Sequence, residues 1–173
     1  MFDLIAGIPL HPLVVHAVEV VVPAAALVLL VAALWPRFRR WAFLLPLLLG
    51  LAAVVLVPVA TQSGEALKRR VGELPLVETH QNLAEGLLPW VIGLTIVAAG
   101  VAWWTWQERR AVAPTGPGSS VTSSLPRWLP VVLIVASVLV AGGTTFEAIR
   151  VGHSGAEAVW SGVAKVTPAG GAG

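Results

Sequence analysis

Cysteine is absent from this chain of 173 residues. That excludes a disulfide framework, a thiolate metal site, an iron–sulfur cluster and a cysteine nucleophile, so any metal or haem ligand has to come from His, Met, Asp or Glu. Charge is scarce as well, at 12% of residues, where a soluble domain carries about a quarter. A soluble domain of this length would bury about 70% of its surface in one core, and there are too few charged residues here to coat the rest. Lipid has to do the coating. The basic residues outnumber the acidic ones only 11 to 9 and form no stripe able to follow a phosphate backbone, which excludes nucleic acid as a partner. Catalytic triads, Walker loops and G-x-G-x-x-G are missing. The first ten residues contain Asp3 and neither Lys nor Arg, so a cleavable signal peptide is not expected.

What the chain has in quantity is apolar sequence, 57% of residues with a mean hydropathy of +0.84. A spanning helix needs about 20 mostly apolar residues, and four runs qualify, at residues 12–35, 41–60, 82–106 and 128–145. The fold expected is an all-α integral membrane four-helix bundle, a single membrane domain whose first partner is the lipid bilayer. Arg37, Arg39, Arg40, Arg109, Arg110 and Arg127 lie in the two loops on one side, six of the eleven basic residues. Arginines close to the ends of short-loop helices mark the cytoplasmic side, which places both termini and the loop between the second and third helices outside. Trp35, Trp41, Trp103, Trp104, Trp106 and Trp128 then form an inner aromatic belt, with Trp90 and Trp160 toward the outer side. Helices 2 and 4 are expected to continue to about Val71 and Trp160, helix 2 through the favourable Glu65–Arg69 i, i+4 pair and helix 4 because no proline interrupts it from Thr144 to Val159. Residues 107–127, rich in Pro, Gly, Ser and Thr from Ala113 onward, read as a flexible inner loop, and residues 168–173 as a disordered tail.

Two coincidences point to parallel helical-hairpin repeats. A shift of 66 residues lays Glu19 and Pro23 on Glu85 and Pro89, and a shift of 82 lays Glu65, Ala66, Leu67 and Lys68 on Glu147, Ala148, Ile149 and Arg150. Matches this short also arise by chance in a chain so rich in Ala, Val and Leu.

All four histidines fall near the outer ends of helices, together with Glu19, Glu65, Glu85 and Glu147. His16, Glu19 and Pro23 share one helix face, Gln62, Glu65 and Arg69 a second, and Arg150, His153 and Glu157 a third. Ionisable groups inside a bilayer cost a few kcal/mol each and normally turn inward to find partners, so four helices contributing to one end suggest a single convergent site. Haem b needs one or two axial imidazoles held between facing helices, and His16 with His80 could supply them, with His153 replacing either. A transition metal is the second option, held by His11, His16 or His80 with Glu19 or Glu65, a set that suits zinc, copper or iron. A proton relay of His and Glu is the third. Glu85, Glu147 and Gln62 would support such a site. His11, just before Pro12, reads best as a helix-start residue in the headgroup region. Salt bridges among the glutamates, Arg69 and Arg150 could equally be structural glue.

PLHPLVVHAVEVVVP at Pro9 to Pro23, T-x-S-G-E-A from Thr61, ETHQNLAEG from Glu78 and G-H-S-G from Gly152 resemble the bacterial membrane family of domain of unknown function 2231. The resemblance implies a four-helix protein of the bacterial inner membrane in which His11, Pro12, His16 and His80 are the family's histidine motif. Some relatives are joined to Rieske-type iron–sulfur domains, which by analogy points to electron transfer, with a redox protein or larger membrane complex as partner. This chain carries no such domain. The function expected is therefore a haem b or transition-metal membrane protein of electron transfer. The alternative is a non-enzymatic small transporter, a proton relay or an accessory subunit, with homo-oligomerisation open in each case.

Overall fold

The structure is a computed structural model that describes residues 4–5, 7–71, 74–112 and 126–161. Two short antiparallel strands open it, β1 (Leu4–Ile5) and β2 (Ile8–Pro9), turned at Gly7, whose φ of 83° a glycine adopts without strain. Five helices follow: α1 (Leu10–Leu34), α2 (Pro36–Trp41), α3 (Leu45–Val71), α4 (Pro75–Val112) and α5 (Trp128–Trp160). The four long ones are each long and apolar enough to cross a membrane, and the chain is an all-α integral membrane bundle.

The helix ends follow local chemistry. Trp35 is extended (φ −118°, ψ 101°) because it precedes Pro36, whose ring disfavours the helical region for its neighbour. Pro36 then starts a new helix at a position where its missing N–H costs nothing, so the expected five-residue loop is itself helical and α3 begins only at Leu45. Pro75 does the same for α4, with Glu78 in the first turn favouring the positive end of the helix dipole. That helix starts seven residues before the apolar run at 82 and continues through residues 107–112, which sequence assigned to the loop. α3 and α5 run on to Val71 and Trp160, as the Glu65–Arg69 pair and the proline-free run from Thr144 implied. The remainder of the linker and the tail, residues 113–125 and 168–173, lie outside the described residues.

α1 packs on α3 and α5, α4 packs on the same two, and α1 and α4 face each other across the diagonal. The contacts are made by small residues that let backbones approach, Ala25, Ala26, Ala32, Ala98 and Ala141 around Leu29 and Leu94. A repeat is visible in the burial. With His11 laid on His80, the buried residues Val22, Ala25, Leu29, Ala32 and Ala33 of α1 fall on Val91, Leu94, Ala98, Val101 and Ala102 of α4, all buried. With Ser63 laid on Ser154, buried Pro46, Gly50 and Ala53 of α3 fall on Ser137, Ala141 and Thr144 of α5, again all buried. The α1–α3 hairpin therefore repeats as α4–α5 about a pseudo-twofold axis along the bundle. This register differs by 3 residues in one pair and 9 in the other from the one the E-x-x-x-P and E-A-aliphatic-basic matches gave. Those matches joined unlike places, since Glu65 is exposed and Glu147 buried.

At the end opposite the histidines, Arg39 is not a solvated loop residue. It is buried, bidentate to Glu108 at 2.9 and 3.1 Å, and lies 3.5 Å over the ring of Trp104. Trp104 is accordingly buried rather than part of an exposed belt, while Trp35, Trp41, Trp103, Trp106 and Trp128 are exposed.

Candidate functional site

His11 stands in the first turn of α1 with Nδ1 3.0 Å from the Ala60 carbonyl and 3.3 Å from Ser63 Oγ on α3. Ser63 donates its own proton to Ala60 O at 2.9 Å, so its oxygen is left as an acceptor. Both neighbours of Nδ1 are thus acceptors, which fixes the proton on Nδ1 and leaves the Nε2 lone pair free. The second repeat builds the same arrangement. His80 Nδ1 on α4 lies 3.0 Å from Ser154 Oγ on α5, and Ser154 donates to Val151 O at 2.9 Å. In each case the next residue is a glycine against the imidazole: a Cβ on Gly64 would sit 3.0 Å from His11 Cε1, and one on Gly155 3.1 Å from His80 Cε1. Ser-Gly supplies both the acceptor and the room.

The two imidazoles share a cavity of about 710 Å³ at this end of the bundle, within the range of small-molecule sites. Its walls are mostly apolar, among them Val15, Val57, Leu87 and Ala148, with His16, Glu19 and Thr61 as further polar lining. A second cavity of about 160 Å³ also touches His11 and His80 and is bounded by Glu65, Lys68 and Gln81. The profile of a family described as predicted membrane protein, domain of unknown function 2231 (DUF2231), matches residues 7–168. The chain belongs to DUF2231. No curated protein and no solved structure matches it.

In this DUF2231 member the residues singled out from sequence are dispersed among three places. His11, His16, His80 and Glu19 line the larger cavity, and Glu65 lines the smaller. His11 stands at the helix start, as expected, and is in addition half-buried and fastened to α3. His16 is exposed at the cavity's edge, with Nδ1 on the Pro12 carbonyl of its own helix. His153 lines neither cavity, 75% exposed and 3.3 Å from Glu157 Oε1, so it is not placed to replace either imidazole. Glu147 is buried between α4 and α5 at 2.9 Å from Arg150 and packs against Gly86. Glu85 and Gln62 are exposed and line neither cavity. Among the described residues no three His, Asp or Glu side chains gather closely enough to hold a metal ion. Ser63, Gly64, Ser154 and Gly155 were not proposed from spacing. Their signal was the Ser-Gly pair shared by T-x-S-G-E-A and G-H-S-G, which becomes meaningful only once each is seen opposite a histidine.

Proposed function

We propose that the protein carries haem b between His11 and His80 and serves membrane electron transfer. The observation that supports it is the pair of half-buried imidazoles, one from each repeat, each with Nδ1 fastened to serine and both lining one mostly apolar cavity. That is the support a metal-bound imidazole normally has, since the second nitrogen's hydrogen bond sets the tautomer and ring orientation. Haem suits this donor set better than a bare ion does. A closed zinc or copper site asks for three or four protein ligands, whereas the porphyrin brings four nitrogens and leaves one or two axial places. His11 takes the place that sequence gave to His16. When bound, the haem would supply a one-electron carrier. The chain's own part is to aim the two Nε2 atoms, hold their tautomers through Ser63 and Ser154, and keep water out with the apolar wall.

The test is the absorption spectrum of detergent-purified protein, as isolated and after addition of hemin. A Soret band at one haem per chain is expected, lost or shifted in His11→Ala and His80→Ala and retained in His153→Ala, with folding checked by circular dichroism. A colourless wild type that takes up no hemin ends the haem reading, and stoichiometric metal in such a protein would favour the ion.

A further inference from the structure

The larger cavity is not a compact pocket. Its lining runs along α1 from His11 to Pro23 and along α5 from Thr145 to Trp160, roughly 18 Å and 22 Å of helix at 1.5 Å per residue. Several of the lining residues on these two helices are exposed, including His16, Glu19, Ile149, Ala156 and Trp160. The cavity is therefore a slot open sideways between α1 and α5. The repeat offers a control for it within the same molecule. The equivalent gap, between α3 and α4, is the small cavity, and it is narrowed by Thr61, Glu65 and Lys68, with Lys68 Nζ 3.3 Å from Gln81 Oε1. Their counterparts at the α1–α5 gap are Gly152, Ala156 and Val159. One gap has small and apolar residues where the other has bulk and charge.

Of the polar groups at the open gap Glu19 is particular to it, while His16 has the exposed Glu85 as its counterpart in the other repeat. His16 and Glu19 stand three residues apart on one face of α1, both lining the slot. A carboxylate oxygen of Glu19 reaches across toward α5, 3.9 Å from where a Cβ on Gly152 would be. Leu88 holds the Glu19 position in the other repeat. The slot and the smaller cavity bordered by Glu65 and Lys68 meet at His11 and His80. We infer that the α1–α5 slot is the binding site of a quinone-class lipid carrier, its head against His16 and Glu19 and its tail along the slot and into the bilayer. A ligand with a long apolar tail needs the lateral opening. A head group that exchanges protons also needs ionisable groups within reach, which a phospholipid would not, and Glu65 and Lys68 at the edge of the smaller cavity supply them. The choice of a redox carrier rests on the electron-transfer reading, whereas the lateral slot does not.

The absence of cysteine makes the test direct. In proteoliposomes, Ala156→Cys should react faster with a lipid-soluble maleimide than with a charged, membrane-impermeant thiosulfonate, and Glu65→Cys should show the opposite preference. Decylubiquinone should slow labelling of Ala156→Cys by about tenfold, the loss of Glu19 as a hydrogen-bond partner in Glu19→Leu should weaken that protection by a similar factor, and undecanol should not protect. Ala156→Cys labelled equally fast by the charged reagent overturns the lateral slot. Absence of protection by decylubiquinone, or equal protection by undecanol, overturns the quinone assignment. Each variant is checked for monodispersity. A Soret band without quinone protection sinks this inference and leaves the haem reading standing, and protection in a colourless protein does the reverse.

Discussion

His11 and His80 are built alike but not supported alike. His11 Nδ1 has the Ala60 carbonyl as well as Ser63, while the hydrogen-bond partner of His80 Nδ1 is Ser154. Removing the hydrogen-bond partner that orients a ligating imidazole typically costs 10–100-fold in affinity. Ser154→Ala should therefore lower haem affinity by about tenfold or more, and Ser63→Ala by clearly less because the carbonyl remains, as hemin titration followed at the Soret band will read. At the other end of the bundle, Glu108→Gln leaves the buried Arg39 guanidinium without its countercharge. Breaking such a pair costs about 3 kcal/mol or more when both partners are buried. Glu108 is 32% exposed, so solvent screening lowers the expected loss to about 2 kcal/mol, read as a fall in the thermal midpoint in detergent. Replacing both partners, as in Arg39→Met with Glu108→Leu, should recover much of it.

Adjacent positions on α5 carry opposite expectations. A Cβ at Gly142 meets nothing within 4 Å, but at Gly143 it would run into the ring of Trp90 on α4. Gly142→Ala should stabilise by about 1 kcal/mol through helix propensity alone, and Gly143→Ala should destabilise by about 1–3 kcal/mol as Trp90 is forced off its rotamer. Reversible unfolding in mixed micelles separates the two by sign. The short α2 belongs to the same scale. Pro36 separates it from α1, and with Trp35 and Trp41 exposed on either side of buried Arg39 it joins two spans while anchoring to α4 through Glu108. An elbow with that one inward arginine is a stronger connection than a loop of the same length.

For the whole molecule, the orientation expected from the positive-inside rule puts the arginines at the α2 end inside and both termini outside. Cysteines at Ser119 and Gly170 should then label from opposite faces of intact cells, and labelling from the same face would refute the orientation. The repeat makes a separate claim. Each histidine is completed by a serine within its own hairpin, His11 by Ser63 and His80 by Ser154. Each half should therefore fold its own imidazole support and need the other only for the second ligand and the apolar wall. Residues 1–72 and 73–173 produced as two chains in one cell should copurify and bind hemin with the spectrum of the intact protein. Copurification failing with both chains present in the membrane would show that the α3–α4 connection is required for assembly.

The count of spanning helices, their continuation to Val71 and Trp160, and the gathering of histidines at one end were settled by composition, by proline placement and by the 1.5 Å rise of a helix, all of which are local. Register was not. The true repeat aligns buried with buried residues, and burial is a property of four helices packed together, so the visible motif matches misled by 3 and 9 residues. For the same reason the sequence paired His16 with His80 by their depth along the helices. Only tertiary packing brought α3 against His11, put Ser63 on its Nδ1, and turned His153 outward to Glu157. The Arg39–Glu108 pair, 69 residues apart, was equally illegible, because nothing in a loop of arginines indicates which one has a carboxylate waiting in the neighbouring helix.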